Sequence, residues 1–135
     1  MLVSVAGDEK GIIVWKNEEV MAGDLLKAKD GEKWTVHQHM KDAHPGTLNY
    51  LSTYHHDGES YFVTMCGEGV LRVWAALAGG EFILKSELFF GRLLQESSAL
   101  HALGKTQLIL AVGGYDSKVH IYTMERGGEP SQLTY

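Results

Sequence analysis

A single cysteine, Cys66, excludes an internal disulfide and fits a reducing compartment. No stretch approaches the ~18 uncharged apolar residues of a membrane-spanning helix. The opening Met-Leu-Val-Ser-Val-Ala-Gly-Asp has no basic n-region, and its apolar part is too short for a secretory signal. Charge of one sign never accumulates: 12 Lys and Arg are scattered among 17 Asp and Glu, for a net charge of −5. That pattern is not the footprint of a nucleic-acid-binding surface. With 44 % hydrophobic and 21 % charged residues, the 135-residue chain is expected to be one globular, soluble, intracellular domain.

What is present is repetition. Leu2 to Trp15, Tyr61 to Trp74 and Leu108 to Tyr122 share one design: an apolar run, a Gly/Asp-rich break, and a second apolar run closed by an aromatic. The closing aromatics Trp15, Trp74 and Tyr122 recur at roughly 50 to 60 residues, a spacing typical of repeat architectures. Each doublet reads as a β-hairpin, with strands at 2–6 and 11–15, 60–66 and 69–75, and 107–112 and 117–123. Between them Lys33–Met40, Thr47–Tyr54, Glu81–Phe90 and Ser97–Leu103 are β-prone. Gln38 interrupts the apolar face of the first of these. Glu18–Lys29 is expected to be a loop, and Phe90–Leu103 a loop followed by a strand, with helix the alternative in both cases. Loops are polar or glycine-rich.

The line Ala111-Val-Gly-Gly-Tyr-Asp-Ser-Lys-Val-His-Ile-Tyr122, with its counterparts Ser4–Trp15 and Thr64–Trp74, resembles the strand–turn–strand text of WD40 repeats. Asp8, Glu68 and Asp116 stand at the family's turn aspartate, and Ala43-His44-Pro45-Gly46 stands for its Gly-His pair. The aspartate that follows the aromatic is missing: Lys16, Ala75 and Thr123 occupy its place. The resemblance implies an all-β fold, a WD40-type β-propeller fragment of roughly two and a half four-stranded blades. Its expected divisions are 1–16 for the last two strands of one blade, 32–75 and 81–123 for two further blades, and 131–135 for the start of another. The structural positions it implies are Asp8, Trp15, His44, Glu68, Trp74, Asp116 and Tyr122. The family's His–Ser/Thr–Asp–Trp network is expected to be incomplete in all three units, with His44 turned inward toward a strand hydroxyl such as Thr64. Propellers close to remove sheet edges, so a chain of this extent is expected to belong to a longer one and to associate when alone.

No catalytic, cofactor or metal site is expected. His37 and His39 share a strand face, but no acid or cysteine is spaced to complete a tetrahedral set among the seven histidines. Cys66 reads as a buried thiol with no base beside it. The three turn acids are explained by local turn hydrogen bonds, and Gly113-Gly114 leads into a strand rather than a helix that would receive phosphate. The order of the units is similar to blades two to four of the Elongator complex subunit 2 family. That likeness implies a non-catalytic scaffold supporting tRNA wobble-uridine modification. Its partners would be the Elongator scaffold and catalytic subunits and the remaining blades of the same propeller, with neither nucleic acid nor membrane contacted directly. It also implies a cytoplasmic location, with the nucleus as a second compartment. The alternative is another WD40 adaptor, such as a ubiquitin-ligase substrate receptor or a trafficking scaffold; an enzyme on a propeller frame is a third reading.

Overall fold

The computed structural model describes residues 1–6, 10–17, 34–78, 80–91, 94–114 and 116–135, and for 6 and 94–97 only the backbone. The described residues are all β, with ten strands: β1 (Leu2–Ala6), β2 (Gly11–Asn17), β3 (Trp34–Met40), β4 (Leu48–His56), β5 (Glu59–Cys66), β6 (Val70–Ala76), β7 (Phe82–Phe89), β8 (Leu94–Leu103), β9 (Gln107–Gly114) and β10 (Val119–Glu125). They form three antiparallel sheets: β1-β2-β3, then β4-β5-β6-β7, then β8-β9-β10. The three hairpins read from the sequence are β1–β2, β5–β6 and β9–β10. Of Phe90–Leu103, Leu94–Leu103 forms strand β8. Glu18–Lys29 lies outside the described residues.

The division of the chain into units differs from the expected one. Trp34–Met40 was expected to open the second unit, yet it pairs with β2 and closes the first sheet. Likewise Phe82–Phe89 pairs with β6 and closes the second sheet rather than opening the third. The units at 32–75 and 81–123 are therefore replaced by sheets spanning 48–89 and 94–125, and the aromatics Trp15 and Trp74 sit one strand in from the outer edge. The cause lies in the connection after β3, where the chain leaves the first sheet through Lys41–Thr47, held by Ala43 N donating to Lys10 O at 2.8 Å. A lone β-prone segment carries no local signal of which neighbour it will pair with.

Turn chemistry sets each register. β4 and β5 are joined by Asp57-Gly58 alone, with φ of 50° and 76°. Positive φ at both positions is the hairpin turn whose twist matches the strands it joins. Pleating then sorts the side chains by face. Val3, Val5, Ile12 and Val14 of the first sheet pack on Leu48, Leu51, Phe62, Trp74 and Phe82 of the second. Tyr61, Val63, Met65, Leu71, Val73 and Ala75, on the opposite face of the second sheet, pack on Leu100, Leu108, Leu110, Val112, Tyr122 and Met124 of the third. Each sheet thus turns a forward face toward the rear face of the next. β5, sandwiched between two neighbours, is buried from Tyr61 through Cys66 on both faces.

Candidate functional site

The most developed polar constellation lies where the first sheet hands over to the second. His44 sits in the connection between β3 and β4 and is buried. Its Nε2 shares a 2.6 Å hydrogen bond with Thr64 Oγ1 on β5. The same oxygen accepts from Trp74 Nε1 on β6 at 2.9 Å, and the Trp74 ring stacks on Phe62 with centroids 5.9 Å apart. Three segments are thereby tied to one buried hydroxyl. Burial first, and then the Arg72 guanidinium, lower the His44 pKa to about 4 against a smaller opposing pull from Glu87, so the ring is neutral near pH 7. Arg72 itself donates to Ala43 O and, at 2.7 Å, to Glu87. His44 Nδ1 has no partner among the described residues. Glu68, exposed in the β5–β6 turn, thus leaves that nitrogen unfilled, and three of the network's four positions are joined.

The other two units are simpler. In the first, Trp15 Nε1 donates to Ser4 Oγ at 2.9 Å, the counterpart of the Trp74–Thr64 bond; Asp8 lies outside the described residues. In the third, Val112 takes the place of the hydroxyl residue, and Tyr122 meets Phe90 and Tyr135 edge-on at 5.8 and 5.2 Å. Asp116 accepts from Lys118 N at 3.1 Å and pairs with His120 at 3.0 Å, a local turn arrangement. Trp15, Trp74 and Tyr122 thus occupy equivalent places, while Glu68 and Asp116 stay in their turns and converge on no common point.

Two sets of junctions that the sequence reading missed bind sheet to sheet. The outer strands β3 and β7 each carry a bulge, between the partners of Val14/Trp15 and of Val73/Trp74. The bulged residue and its successor reach the start of the next outer segment in both cases. His37 Nε2 donates to Gly80 O at 2.9 Å, and Gln38 brackets Phe82, donating to its carbonyl at 2.8 Å and accepting from its N–H at 2.7 Å. One unit later Lys85 Nζ donates to Glu129 O at 2.8 Å, Ser86 donates to Ser131 O, and Ser131 N donates to Lys85 O at 2.9 Å. Gln38, which reads in sequence as a break in an apolar face, is an edge clasp. Burial lowers the Lys85 pKa despite three nearby glutamates. Replacing Gln38 with Ala leaves both Phe82 backbone groups without these partners and is expected to cost about 1–2 kcal/mol in a urea melt. An unchanged midpoint would show that the clasp carries no stability.

The inner strands are joined by tyrosines. Tyr50 Oη donates to Ser98 O at 3.1 Å and accepts from Ser98 N at 3.0 Å, while Tyr54 Oη accepts from Ala102 N at 3.0 Å. Two residues four apart on β4 therefore engage two residues four apart on β8. Between these layers Tyr61 Oη donates to Glu59 at 2.8 Å and accepts from Gly127 N at 2.8 Å, and Arg126 joins Glu59 at 3.1 Å. Burial, reinforced by Glu59, pushes the Tyr61 pKa up to about 12.

No constellation among the described residues has the form of a reaction centre. Ser60 and His55 share a 2.7 Å hydrogen bond beside a cavity of about 400 Å³ that Met1, Val3, Tyr54 and Phe82 also line, but the pair is exposed and no carboxylate orients the imidazole. Among the described residues no three His, Cys, Asp or Glu side chains gather as a metal set. Cys66 is buried. No helix of the described residues is long and apolar enough to cross a membrane. No protein-family model matches the chain and no curated protein matches it, which leaves residue geometry as the ground for a functional assignment.

Proposed function

We propose that this chain is a non-catalytic protein-binding scaffold, part of a WD40-type β-propeller of roughly two and a half blades, and that it acts as Elongator subunit 2 does. The observation that carries the reading is the His44–Thr64–Trp74 arrangement, with its Trp15–Ser4 counterpart one sheet earlier. The Trp-to-hydroxyl bond occupies equivalent strand positions in the first and second sheets, which stack forward face to rear face, in keeping with the repeat text. A stack clamped at its inner, middle and outer layers presents a pre-ordered surface, so a partner binds without a large ordering cost. The role is assembly in the cytoplasm and nucleus: bridging the Elongator scaffold and catalytic subunits without contributing a residue to wobble-uridine chemistry.

The test is co-purification. Tagged chain expressed in cells is expected to bring down the large Elongator scaffold subunit together with the catalytic subunit. Recovery of neither would remove the Elongator assignment, and recovery of a ubiquitin ligase or a trafficking coat in their place would favour the other adaptor reading.

A further inference from the structure

The connection Lys41–Thr47 carries the chain from the first sheet to the second, and little holds it there. Lys41, Asp42, Pro45 and Thr47 are exposed, and the buried Gly46 has no side chain, so the segment withdraws from water mainly the Ala43 methyl and the His44 ring. Ala43 N donates to Lys10 O at 2.8 Å, Arg72 donates to Ala43 O, and Gly67 N donates to Thr47 O at 3.0 Å. Asp42 holds φ of +49°, a strained backbone that opening would relax. Segments with so little buried apolar surface open locally at a fraction of the cost of global unfolding. β5 beside it is buried on both faces from Tyr61 through Cys66.

The ring that anchors the segment suits this place only while neutral. An imidazolium presents two N–H donors. Nε2 has the Thr64 hydroxyl, which already accepts from Trp74, but buried Nδ1 has no acceptor among the described residues. The charged groups around the ring do not supply one. Arg72 on β6 is a cation, and Glu87 on β7 is engaged by it at 2.7 Å. Glu68, in the β5–β6 turn, lays its side-chain stem where a Gly46 Cβ would stand, and its carboxylate makes no bond to the ring. Lys10, just before β2, adds positive charge, and Lys41 and Asp42 on the segment itself point to solvent. Protonation would therefore bury a charged donor without a partner, and opening the segment hands that donor to water.

We propose that His44 is a proton-operated latch: taking up a proton releases Lys41–Thr47 from the second sheet while the sheets themselves stay folded. The Trp74–Thr64 bond joins β5 to β6 within one sheet and survives the release. The open form uncovers the Thr64 hydroxyl and the Arg72 guanidinium at the handover between the first two sheets. This goes beyond the scaffold reading and does not depend on Elongator, since the latch rests on the residues around His44 alone.

With the segment open the ring takes up its proton near pH 6.5, and closed it resists until about pH 4. Acid thus favours the open form by about tenfold per pH unit between those values, and its population should rise roughly 30-fold from pH 7.5 to 5. Amide hydrogen exchange of the full chain, read by NMR and corrected for the intrinsic rate, detects such openings even when they are rare. The Ala43 amide should lose protection by that factor, and low urea should leave its exchange unchanged. The Val63 and Met65 amides of β5 should stay more protected at each pH and exchange only by a urea-sensitive route. His44→Gln should abolish the pH dependence at Ala43, and a response that survives it would overturn the proposal by placing the titrating group elsewhere. Two outcomes overturn it on the wild type alone, should the variant fail to fold: Ala43 exchange as urea-sensitive as that of β5, or no pH dependence at Ala43. A chain that opens in this way but captures no Elongator subunit would retain this inference while losing the assignment above.

Discussion

Gly69→Ala is expected to destabilise the protein by about 3 kcal/mol or more, the largest effect expected among the glycines compared below. Gly69 has φ of +80°, where a side chain is strained, and a Cβ built there would overlap the carbonyl group of Gly91. Relief requires separating two backbone segments that are joined at present. Gly69 N donates to Cys66 O at 3.0 Å within the turn, and Phe90 N donates to Gly69 O at 2.8 Å across to the β7 end. Two neighbours make the argument quantitative. Gly58, at φ +76° with open space around it, isolates the conformational cost, and Gly58→Ala should lose about 1 kcal/mol. Gly67 has open space and no positive φ, so Gly67→Ala should stay within about 0.5 kcal/mol. Urea denaturation of the three variants checks the order 67, 58, 69. A Gly69→Ala variant as stable as Gly67→Ala would show that the two turns do not approach as described.

The second large effect concerns His44. An unfolded histidine takes up its proton near pH 6.5, while the folded ring resists until about pH 4. In that window the unfolded state binds more protons, so stability rises with pH. The contribution of the neutral ring is fully present above about pH 6.5 and is lost as the pH falls toward 4. The limiting loss is about 3 kcal/mol. His44→Gln should flatten the stability profile between pH 6.5 and 4.5. Below that range Glu59 adds its own loss. Burial alone would raise its carboxyl, but the hydrogen bonds from Tyr61 and Arg126 outweigh it and hold it below the ordinary value. Thr64→Val tests the same site without a titration. It keeps the shape and removes the oxygen that both Trp74 Nε1 and His44 Nε2 engage, which should cost about 3 kcal/mol. A wild-type profile as steep in His44→Gln as in the parent would place the acid sensitivity elsewhere.

The three hairpins were legible in the sequence because what makes them is local: apolar runs either side of a short polar break, although the positive φ falls on Lys10 and Ser117 as well as on Gly69. His44 and its hydroxyl partner were legible only through the resemblance, since 20 residues separate them. The outer strands of the first two sheets were misplaced for a physical reason. β3 and β7 follow the hairpin they complete, and their pairing depends on where the chain crosses to the next sheet, which no short-range pattern encodes. The junctions were invisible for the same reason. Tyr50 and Tyr54 look like ordinary strand residues, and their hydroxyls meet backbone groups 48 residues away. Gln38 was noticed only as an interruption, although a polar side chain at a bulge is what an outer edge uses to bind its neighbour.

Everything above depends on sheets stacked face to rear, and nuclear Overhauser contacts across the second junction test it most directly. The Tyr50 ring should show cross-peaks to the Ser98 amide, and the Tyr54 ring to the Ala102 amide, in a dilute sample. Rings that meet only their own sheet's protons would contradict the stack, and with it the scaffold reading.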